Sequence, residues 1–330
     1  MRLEYLSFTD RGEKMARKLA AALGGSVSRC GVEYSLSGWT KQQFQEAEGL
    51  IFVGAAGIAV RAVAPYLRGK DKDPAVVVVD ERGQFVIPIL SGHLGGANDL
   101  AREIAEVCGA VPVITTATDC GGVFAIDAWA RHQNCAVEGV KEIKRISGKL
   151  LSGGETRIKS RWPVAGTPPL GVTLTEGSDW DAHVDICRGE KEGLWLIPRI
   201  AVLGIGCRRH TPAQKLESVL KELLEETGVS EKALCLAVSI DLKREEAGIL
   251  EFCKNHGLPF RCFSAEELAQ AAGEFTPSDF VEQVTGVDNV CERSVVLGGG
   301  KLLRRKMARD GVTMALGLRP FAPDWRWKNG

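Results

Sequence analysis

The chain has 330 residues, which is enough for two or three domains with separate cores. Lysine plus arginine and aspartate plus glutamate each total 42, so no overall charge attracts nucleic acid or a membrane surface. Residues 1–20 carry charges throughout, unlike a secretion signal, and no apolar run reaches the ~18 residues of a membrane span. We therefore expect a cytoplasmic protein that binds neither nucleic acid nor membranes.

Strands and helices are predicted to alternate along residues 1–137. Residues 3–9 have a strand pattern, and residues 11–25 have an amphipathic helix pattern that ends in two glycines. The β-branched run at 75–79 is typical of a strand buried on both faces of a parallel sheet. Further strands are predicted at 49–53, 84–90 and within 111–119, and further helices at 56–64, 97–109 and 123–133. This alternation predicts an open, mostly parallel α/β sheet.

Residues 138–198 are rich in Gly, Pro and Ser and lack a long periodic segment, which indicates a small, irregular, partly stranded central domain. A second α/β domain is predicted over 199–330. Its first helix has Thr211, Pro212 and Gln214 as capping signals. The predicted strands of this domain cover 200–206, 234–241, 258–263 and 294–299, and the tail 321–330 is expected to be loose.

The ten cysteines are scattered and include no Cys-x-x-Cys pair. Zinc sites usually need such close thiols, so we expect no metal site. Several cysteines fall within apolar patterns, as buried thiols do in a reducing compartment.

Four glycine- or threonine-rich turns follow predicted strands, at 54–61, 91–99, 115–119 and 204–209. In a parallel sheet such turns share one edge, where helix N-termini offer N–H groups to anions. Any one of them could be simple loop geometry, whereas four together favour a binding pocket. The turns lack the three-glycine dinucleotide fingerprint and the Walker lysine, so no nucleotide cofactor is expected.

Within the second of these turns, His93 stands among glycines, where it has little to pack against. Its ordinary pKa suits general acid–base catalysis, with Asp80 or Asp119 as a partner. The N–H groups of Gly95 and Gly96 could stabilise an oxyanion. The alternative is a structural or helix-capping role for His93.

Basic residues accompany the turns, and arginine binds carboxylates through two parallel hydrogen bonds. Although any single one could be solvated surface charge, together they favour a polyanionic small ligand. The candidate ligand-binding residues are Gly54, Gly57, Arg61, Lys70, Ser91, Gly92, Gly95, Gly96, Asn98, Thr116, Thr118, Gly204, Gly206 and Arg208.

The motifs of the chain resemble a known family in the family's own order. Residues 54–105, which include "SGHLGGAND", and "PVITTATD" at 112–119 resemble the N-terminal domain of cobalt-precorrin-5A hydrolases. "VLGIGCRRHTP" at 202–212 and "SIDLKREEAGI" at 239–249 resemble their C-terminal domain. One departure is "GGGKLLRRK" at 298–306, where the family more often has a Pro-Lys pair.

The resemblance implies a hydrolase of anaerobic cobalamin (vitamin B12) biosynthesis. Its substrate is a cobalt-bearing tetrapyrrole on the way to a corrin, cobalt-precorrin-5A, whose ring A acetate is closed as a δ-lactone. Water opens the lactone, and acetaldehyde leaves to give cobalt-precorrin-5B. No cofactor is implied, because the substrate carries the cobalt. A homodimer and transient contacts with other enzymes of the pathway are possible partners.

In this reading His93 and Asp119 are the candidate catalytic residues, with His93 as base or proton shuttle. Axial ligation of the substrate's cobalt is a rival role for His93. Two other functions are a non-catalytic carrier of corrinoid intermediates and a nucleotide-binding regulator.

Overall fold

The computed structural model describes residues 1–69 and 72–327. Within these ranges the chain forms three β-sheets one after another, with α-helices between their strands. Most neighbouring strands are parallel, which confirms the predicted α/β class. No helix in the described ranges is both long and apolar enough to cross a membrane.

The first sheet has the strand order β2-β1-β3-β4-β5-β6 in the described part of the chain. Its strands are β1 Leu3–Ser7, β2 Ser26–Arg29, β3 Gly49–Val53, β4 Ala75–Val79, β5 Phe85–Leu90 and β6 Val111–Pro112. Its helices are α1 Asp10–Leu23, α2 Leu36–Glu46, α3 Ala56–Val63 and α4 Ala97–Cys108. All five residues of β4 are buried, as the β-branched run predicts for a central strand.

Strand β5 reverses the direction of this sheet. It runs antiparallel to β4, with Val79 opposite Val86. The expectation that all four turns share one edge of a parallel sheet is therefore wrong, because the connection from β4 to β5 is too short for a parallel crossover. Asp80 closes this turn by accepting hydrogen bonds from the N–H groups of Gln84 and Phe85. Asp80 is therefore a turn residue and not a partner of His93.

The central segment is more regular than its composition indicates. Two short helices, α5 Ala117–Cys120 and α6 Ile126–His132, lead into it. Its elements are β7 Cys135–Glu138, α7 Lys141–Leu151, β8 Thr156–Ser160, β9 Val172–Leu174, β10 Ala182–Val184 and β11 Leu194–Pro198. The described strands have the order β7-β11-β10-β8-β9. Strands of three to five residues are too short for a recognisable alternation, which explains why the sequence shows no clear pattern here.

The third sheet has the order β14-β13-β12-β16-β15 within the described residues. Its strands are β12 Ala201–Cys207, β13 Leu234–Ile240, β14 Phe260–Phe263, β15 Lys301–Arg309 and β16 Val312–Leu318. Its helices are α8 Ala213–Thr227, α9 Ala247–Asn255, α10 Ala265–Ala269, α11 Asp279–Thr285 and α12 Cys291–Leu297. Strands β12, β13 and β14 are parallel, so their carboxyl ends share one edge.

Two local predictions for this domain are wrong. The apolar run at 294–299 was predicted as a strand, yet Ser294 and Val295 belong to the buried helix α12, since short apolar runs do not distinguish the two structures. Thr211 does not cap α8, because its hydroxyl donates to the carbonyl oxygen of Arg208. A capping box is instead present at α10, between Ser264 and Glu267.

The described part of the tail is packed, in contrast to the expectation of a loose segment. Trp325 is 7% exposed and stacks on Trp129, with ring centroids 5.2 Å apart and an interplanar angle of 17°. Phe124 meets Trp325 edge-on, and Trp129 Nε1 donates to the carbonyl oxygen of Asp324. The tail therefore completes the core of the central sheet.

We expect Trp325→Ala to lower the free energy of unfolding by about 3 kcal/mol, because the truncation leaves a cavity in an aromatic core. Urea denaturation followed by circular dichroism measures the change. Leu170→Ala, at a side chain that is 98% exposed, is the control and should change the value by less than ~0.5 kcal/mol. Equal effects of the two substitutions would contradict the packed tail.

Candidate active site

The loops after β5 and β6 meet at one edge of the first sheet. These strands are parallel to each other, so residues 91–96 and 113–116 leave them on the same side. Asn98 Nδ2 donates to Thr116 Oγ1 at 3.1 Å and to Asp119 Oδ2 at 3.0 Å. The structure thus brings together residues from two of the motifs singled out in the sequence.

The 91–96 loop folds back onto the start of helix α4. Ser91 has a φ of +56° and donates from Oγ to the carbonyl oxygen of Asp73 at 2.9 Å. The N–H groups of Gly96, Ala97 and Asn98 donate to loop carbonyl oxygens at 3.0, 3.1 and 2.9 Å, respectively. Gly96 therefore does not offer the N–H group that the sequence analysis assigned to an oxyanion.

The other two glycines of this loop are required for close packing. A Cβ atom on Gly92 would lie 2.7 Å from Asn98 Oδ1. A Cβ atom on Gly95 would lie 2.4 Å from the Cβ of Ser91. Both distances are shorter than real Cβ contacts, so these glycines let the loop close around Asn98 and Ser91.

His93 lies between two carboxylates. Its Nε2 is 2.8 Å from Asp119 Oδ2, and its Nδ1 is 3.1 Å from Asp127 Oδ1. The side chains of His93, Asp119 and Asp127 are 15%, 10% and 9% exposed. With both ring nitrogens facing acceptors, the arrangement stabilises the imidazolium form of His93.

This environment changes the pKa values of both partners. Burial alone would lower the pKa of His93, but the hydrogen bonds to Asp119 and Asp127 outweigh it and raise the pKa to about 9. Burial alone would raise the pKa of Asp119, but hydrogen bonds from His93, Thr116 and Arg102 hold it well below its usual range. At neutral pH, therefore, His93 is protonated and Asp119 is ionised.

Further charged side chains form ion pairs next to His93 and Asp119. Arg102 Nη2 lies 2.7 Å from Asp119 Oδ1, and Arg102 Nη1 lies 3.0 Å from Asp99 Oδ1. Asp99, with its side chain 8% exposed, also accepts from Arg131 Nη1 at 2.6 Å. A Cβ on Gly96 would lie 2.3 Å from the guanidinium carbon of Arg131, so Gly96 leaves room for that arginine.

The cavity beside His93 is small. It has a volume of about 10 Å³, close to the minimum that one water molecule needs. Its lining residues are Gly92, His93, Asn98, Asp99, Arg102, Asp119, Ala125, Ala128 and Trp327. A tetrapyrrole does not fit into this space.

The turn at 54–61 lies at the opposite edge of the sheet. The N–H group of Gly54 donates to the carbonyl oxygen of Val79 at the carboxyl end of β4. The 91–96 loop, in contrast, lies near the amino end of β4. A Cβ on Gly54 would lie 2.8 Å from the Phe8 ring. Gly57 sits beneath the exposed guanidinium of Arg61. The prediction that this turn joins His93 in one pocket is wrong, because β5 is antiparallel to β4.

Three of the remaining candidates, Gly204, Gly206 and Arg208, belong to the third sheet's domain. Lys70 lies outside the described residues. Gly204 packs against helix α12, since a Cβ there would lie 2.0 Å from the carbonyl oxygen of Cys291. Gly206 and Arg208 line a larger cavity of the third sheet. Thr118 Oγ1 is 3.4 Å from His93 Nε2, at the margin of the cluster.

Comparison with known proteins identifies the family. The family descriptions "Cobalamin synthesis G N-terminal" and "Cobalamin synthesis G C-terminus" match residues 38–119 and 201–317. The cobalt-precorrin-5A hydrolase of Salmonella typhimurium is 37% identical over 296 residues, which cover 84% of both chains. The chain belongs to the cobalt-precorrin-5A hydrolase family.

Two further relatives are similar to the chain. The cobalt-precorrin-5A hydrolase of Priestia megaterium is 32% identical over 303 residues, covering 84% of this chain and 80% of that protein. Protein CobE of a Sinorhizobium species is 33% identical over 119 residues, covering 35% of this chain and 77% of CobE. The resemblance inferred from the motifs is confirmed, and membership of the family connects the chain with cobalamin biosynthesis.

Four charged residues of the cluster were missed by the sequence analysis: Asp99, Arg102, Asp127 and Arg131. Arg102 follows Asn98 by four residues and Asp99 by three, so the helical spacing of α4 could have revealed it. Asp127 lies within the predicted helix at 123–133, where a structural carboxylate is the ordinary interpretation. Its approach to His93 depends on the path of residues 120–126, which no local pattern encodes. Asp127 also lies outside both segments that match the cobalamin synthesis family descriptions.

We expect the stability contributed by His93 to depend on pH in a defined direction. Its folded pKa of about 9 lies above the ordinary value of 6.5, so the contribution is complete below pH ~6.5 and is lost as the pH rises through about 9. The difference in thermal midpoint between wild type and His93→Gln should therefore shrink between pH 6.5 and 9.5. A difference that stays constant over this range would contradict a raised pKa.

Proposed function

We propose that this chain hydrolyses cobalt-precorrin-5A to cobalt-precorrin-5B and acetaldehyde. The observation that carries the proposal is the 37% identity over 296 residues with a cobalt-precorrin-5A hydrolase. One water molecule is consumed. Its oxygen goes to the lactone carbonyl carbon and regenerates the ring A acetate. The methylated meso carbon, to which the lactone oxygen was attached, then leaves together with its methyl group as acetaldehyde. The macrocycle takes up the electron pair of the broken carbon–carbon bond and a proton.

This reaction makes no demand on a cofactor of the protein. No electrons are exchanged with an external carrier, and cobalt enters as part of the substrate. We place the reaction in the cytoplasm, which the ten free cysteine thiols support.

His93 acts in this proposal as a proton donor. Opening of the lactone produces an alkoxide, which an imidazolium can protonate, and the neutral imidazole then takes this proton back when the hydroxyl collapses to acetaldehyde. A general base or an axial cobalt ligand would need a ring nitrogen with a free lone pair. Both nitrogens of His93 instead face carboxylates at 2.8 and 3.1 Å. This favours the proton-shuttle role over the other two roles considered for His93.

Asp119 and Asp127 orient the imidazolium. Asp119 is itself a weak base, because its pKa is held well below its usual range by hydrogen bonds that outweigh the effect of its burial. The cavity beside the pair has the volume of about one water molecule. We propose that this cavity admits the attacking water, while the body of the macrocycle stays outside.

We expect His93→Gln to reduce acetaldehyde release at least about 100-fold, as loss of a positioned acid does. The assay follows acetaldehyde from cobalt-precorrin-5A with alcohol dehydrogenase and NADH. The matched control is His256→Gln, because His256 also lies between two carboxylates, Glu217 and Glu231, but in the third sheet's domain. Near-normal turnover of His93→Gln would exclude His93 as an essential acid. Tight binding by the wild-type chain without acetaldehyde would indicate a carrier.

We expect Asp127→Asn to move the alkaline limb of the kcat/KM profile to lower pH. The substitution removes one of the two carboxylates that raise the pKa of His93, so the limb should fall from near 9 by about one unit or more. The measurement is kcat/KM between pH 6 and 10 for both proteins. An unchanged limb would mean that it does not report the proton of His93.

A further inference from the structure

A cavity with apolar sides lies in the third sheet's domain, far along the sequence from His93. It has a volume of about 430 Å³ and opens at the carboxyl ends of strands β12 and β13, where ligands bind in open α/β sheets. Gly206 and Ser239 line it from these strands, and Thr313 lines it from the start of β16. Val281 and Val284 of helix α11 form an apolar side.

Large apolar side chains are exposed at this cavity. Val284 is 61% exposed and Leu242 is 63% exposed, and both line the space. Exposed apolar groups that converge on one concave site indicate a ligand with an apolar body.

Four cations surround the same space. Lys243 is paired with Glu246 at 3.0 Å, and Lys306 Nζ donates to the carbonyl oxygen of Thr276 at 3.3 Å. In contrast, the guanidinium groups of Arg208 and Arg209 have no hydrogen-bond or ion-pair partner among the described side chains. They are therefore available to the anionic groups of a ligand.

The backbone fixes Arg208 at the rim. Its N–H group donates to the carbonyl oxygen of Gly311 at 3.1 Å, and its own carbonyl oxygen accepts from Thr211 Oγ1 at 2.8 Å. The side-chain stem crosses Gly311, where an added Cβ would lie 3.0 Å from Arg208 Cδ. Gly311 has a φ of +82°, so the turn and the arginine stem both favour glycine at this position.

We propose that this cavity binds one edge of the tetrapyrrole, with the apolar ring between Leu242 and Val284 and peripheral carboxylates on Arg208 and Arg209. The identity of the ligand rests on the proposed function, whereas its chemical class follows from the cavity. A volume of about 430 Å³ holds part of such a macrocycle and leaves the rest outside. Planar guanidinium groups match carboxylates through paired hydrogen bonds.

The test measures binding of cobyrinic acid, a cobalt corrin with seven free carboxyl groups, to the full chain by isothermal titration calorimetry. The double variant Arg208→Gln, Arg209→Gln should weaken the Kd at least tenfold. Arg305→Gln is the matched control, because Arg305 carries the same charge on β15 but does not line the cavity. It should change the Kd less than twofold. Cobyrinic acid heptamethyl ester should bind weakly, with no difference between wild type and the double variant.

A second variant tests the apolar part of the site without changing charge. Val281→Trp fills the cavity and should also weaken binding of cobyrinic acid at least tenfold, with circular dichroism confirming the fold. If both variants bind like the wild type, the inference is overturned.

Acetaldehyde release by the wild-type chain separates this inference from the proposed function. Release together with unchanged binding in both variants overturns the cavity assignment and keeps the hydrolase. No release together with weakened binding in both variants keeps the cavity as a tetrapyrrole site and overturns the hydrolase.

Discussion

The antiparallel pairing of β5 with β4 determines where the chemistry of the first domain can occur. Strand β5 carries the chain back to the edge where β4 begins, so Ser91 reaches the carbonyl oxygen of Asp73. Strand β6 is parallel to β5 and delivers Thr116 to the same edge. His93, Asn98 and the carboxylates around them can meet only because of this reversal. A fully parallel sheet would place the 91–99 loop beside Gly54 instead.

The charges in the cluster around His93 are balanced, and their ion pairs stabilise it. Three cations, His93, Arg102 and Arg131, face three carboxylates in a largely buried space. Removing one member would leave an opposite charge buried without its partner, which costs more than the pair contributes. The network also connects helices α4, α5 and α6, so it fixes the position of the imidazolium relative to the sheet. A rigid proton donor of this kind has little reorganisation to undergo during catalysis.

The sequence analysis predicts much of this arrangement but not the direction of strand β5. Turn chemistry identified His93, Asn98, Thr116 and Asp119. The position of Gly54 was wrong, although the short connection between the predicted strands at 75–79 and 84–90 excludes a parallel crossover and could have shown that β5 is antiparallel. The carboxylate of Asp127 could not be assigned either, because its contact with His93 joins residues 34 positions apart in sequence through an irregular segment. Motifs thus specify which residues carry chemistry, and strand direction decides which of them meet.

The two cavities differ in the physical properties that a large charged substrate requires. The space beside His93 has a volume of about 10 Å³ and is surrounded by ionised groups, which suits water and proton transfer. The space beside Arg208 has about 430 Å³, apolar sides and cations at its rim, which suits a ring with carboxylates on its periphery. The cavity beside His93 is too small to bind a macrocycle. The described lining of the cavity beside Arg208 contains no histidine that could transfer a proton. In the proposed reaction, binding of the macrocycle therefore belongs to the larger cavity and proton transfer to the smaller one.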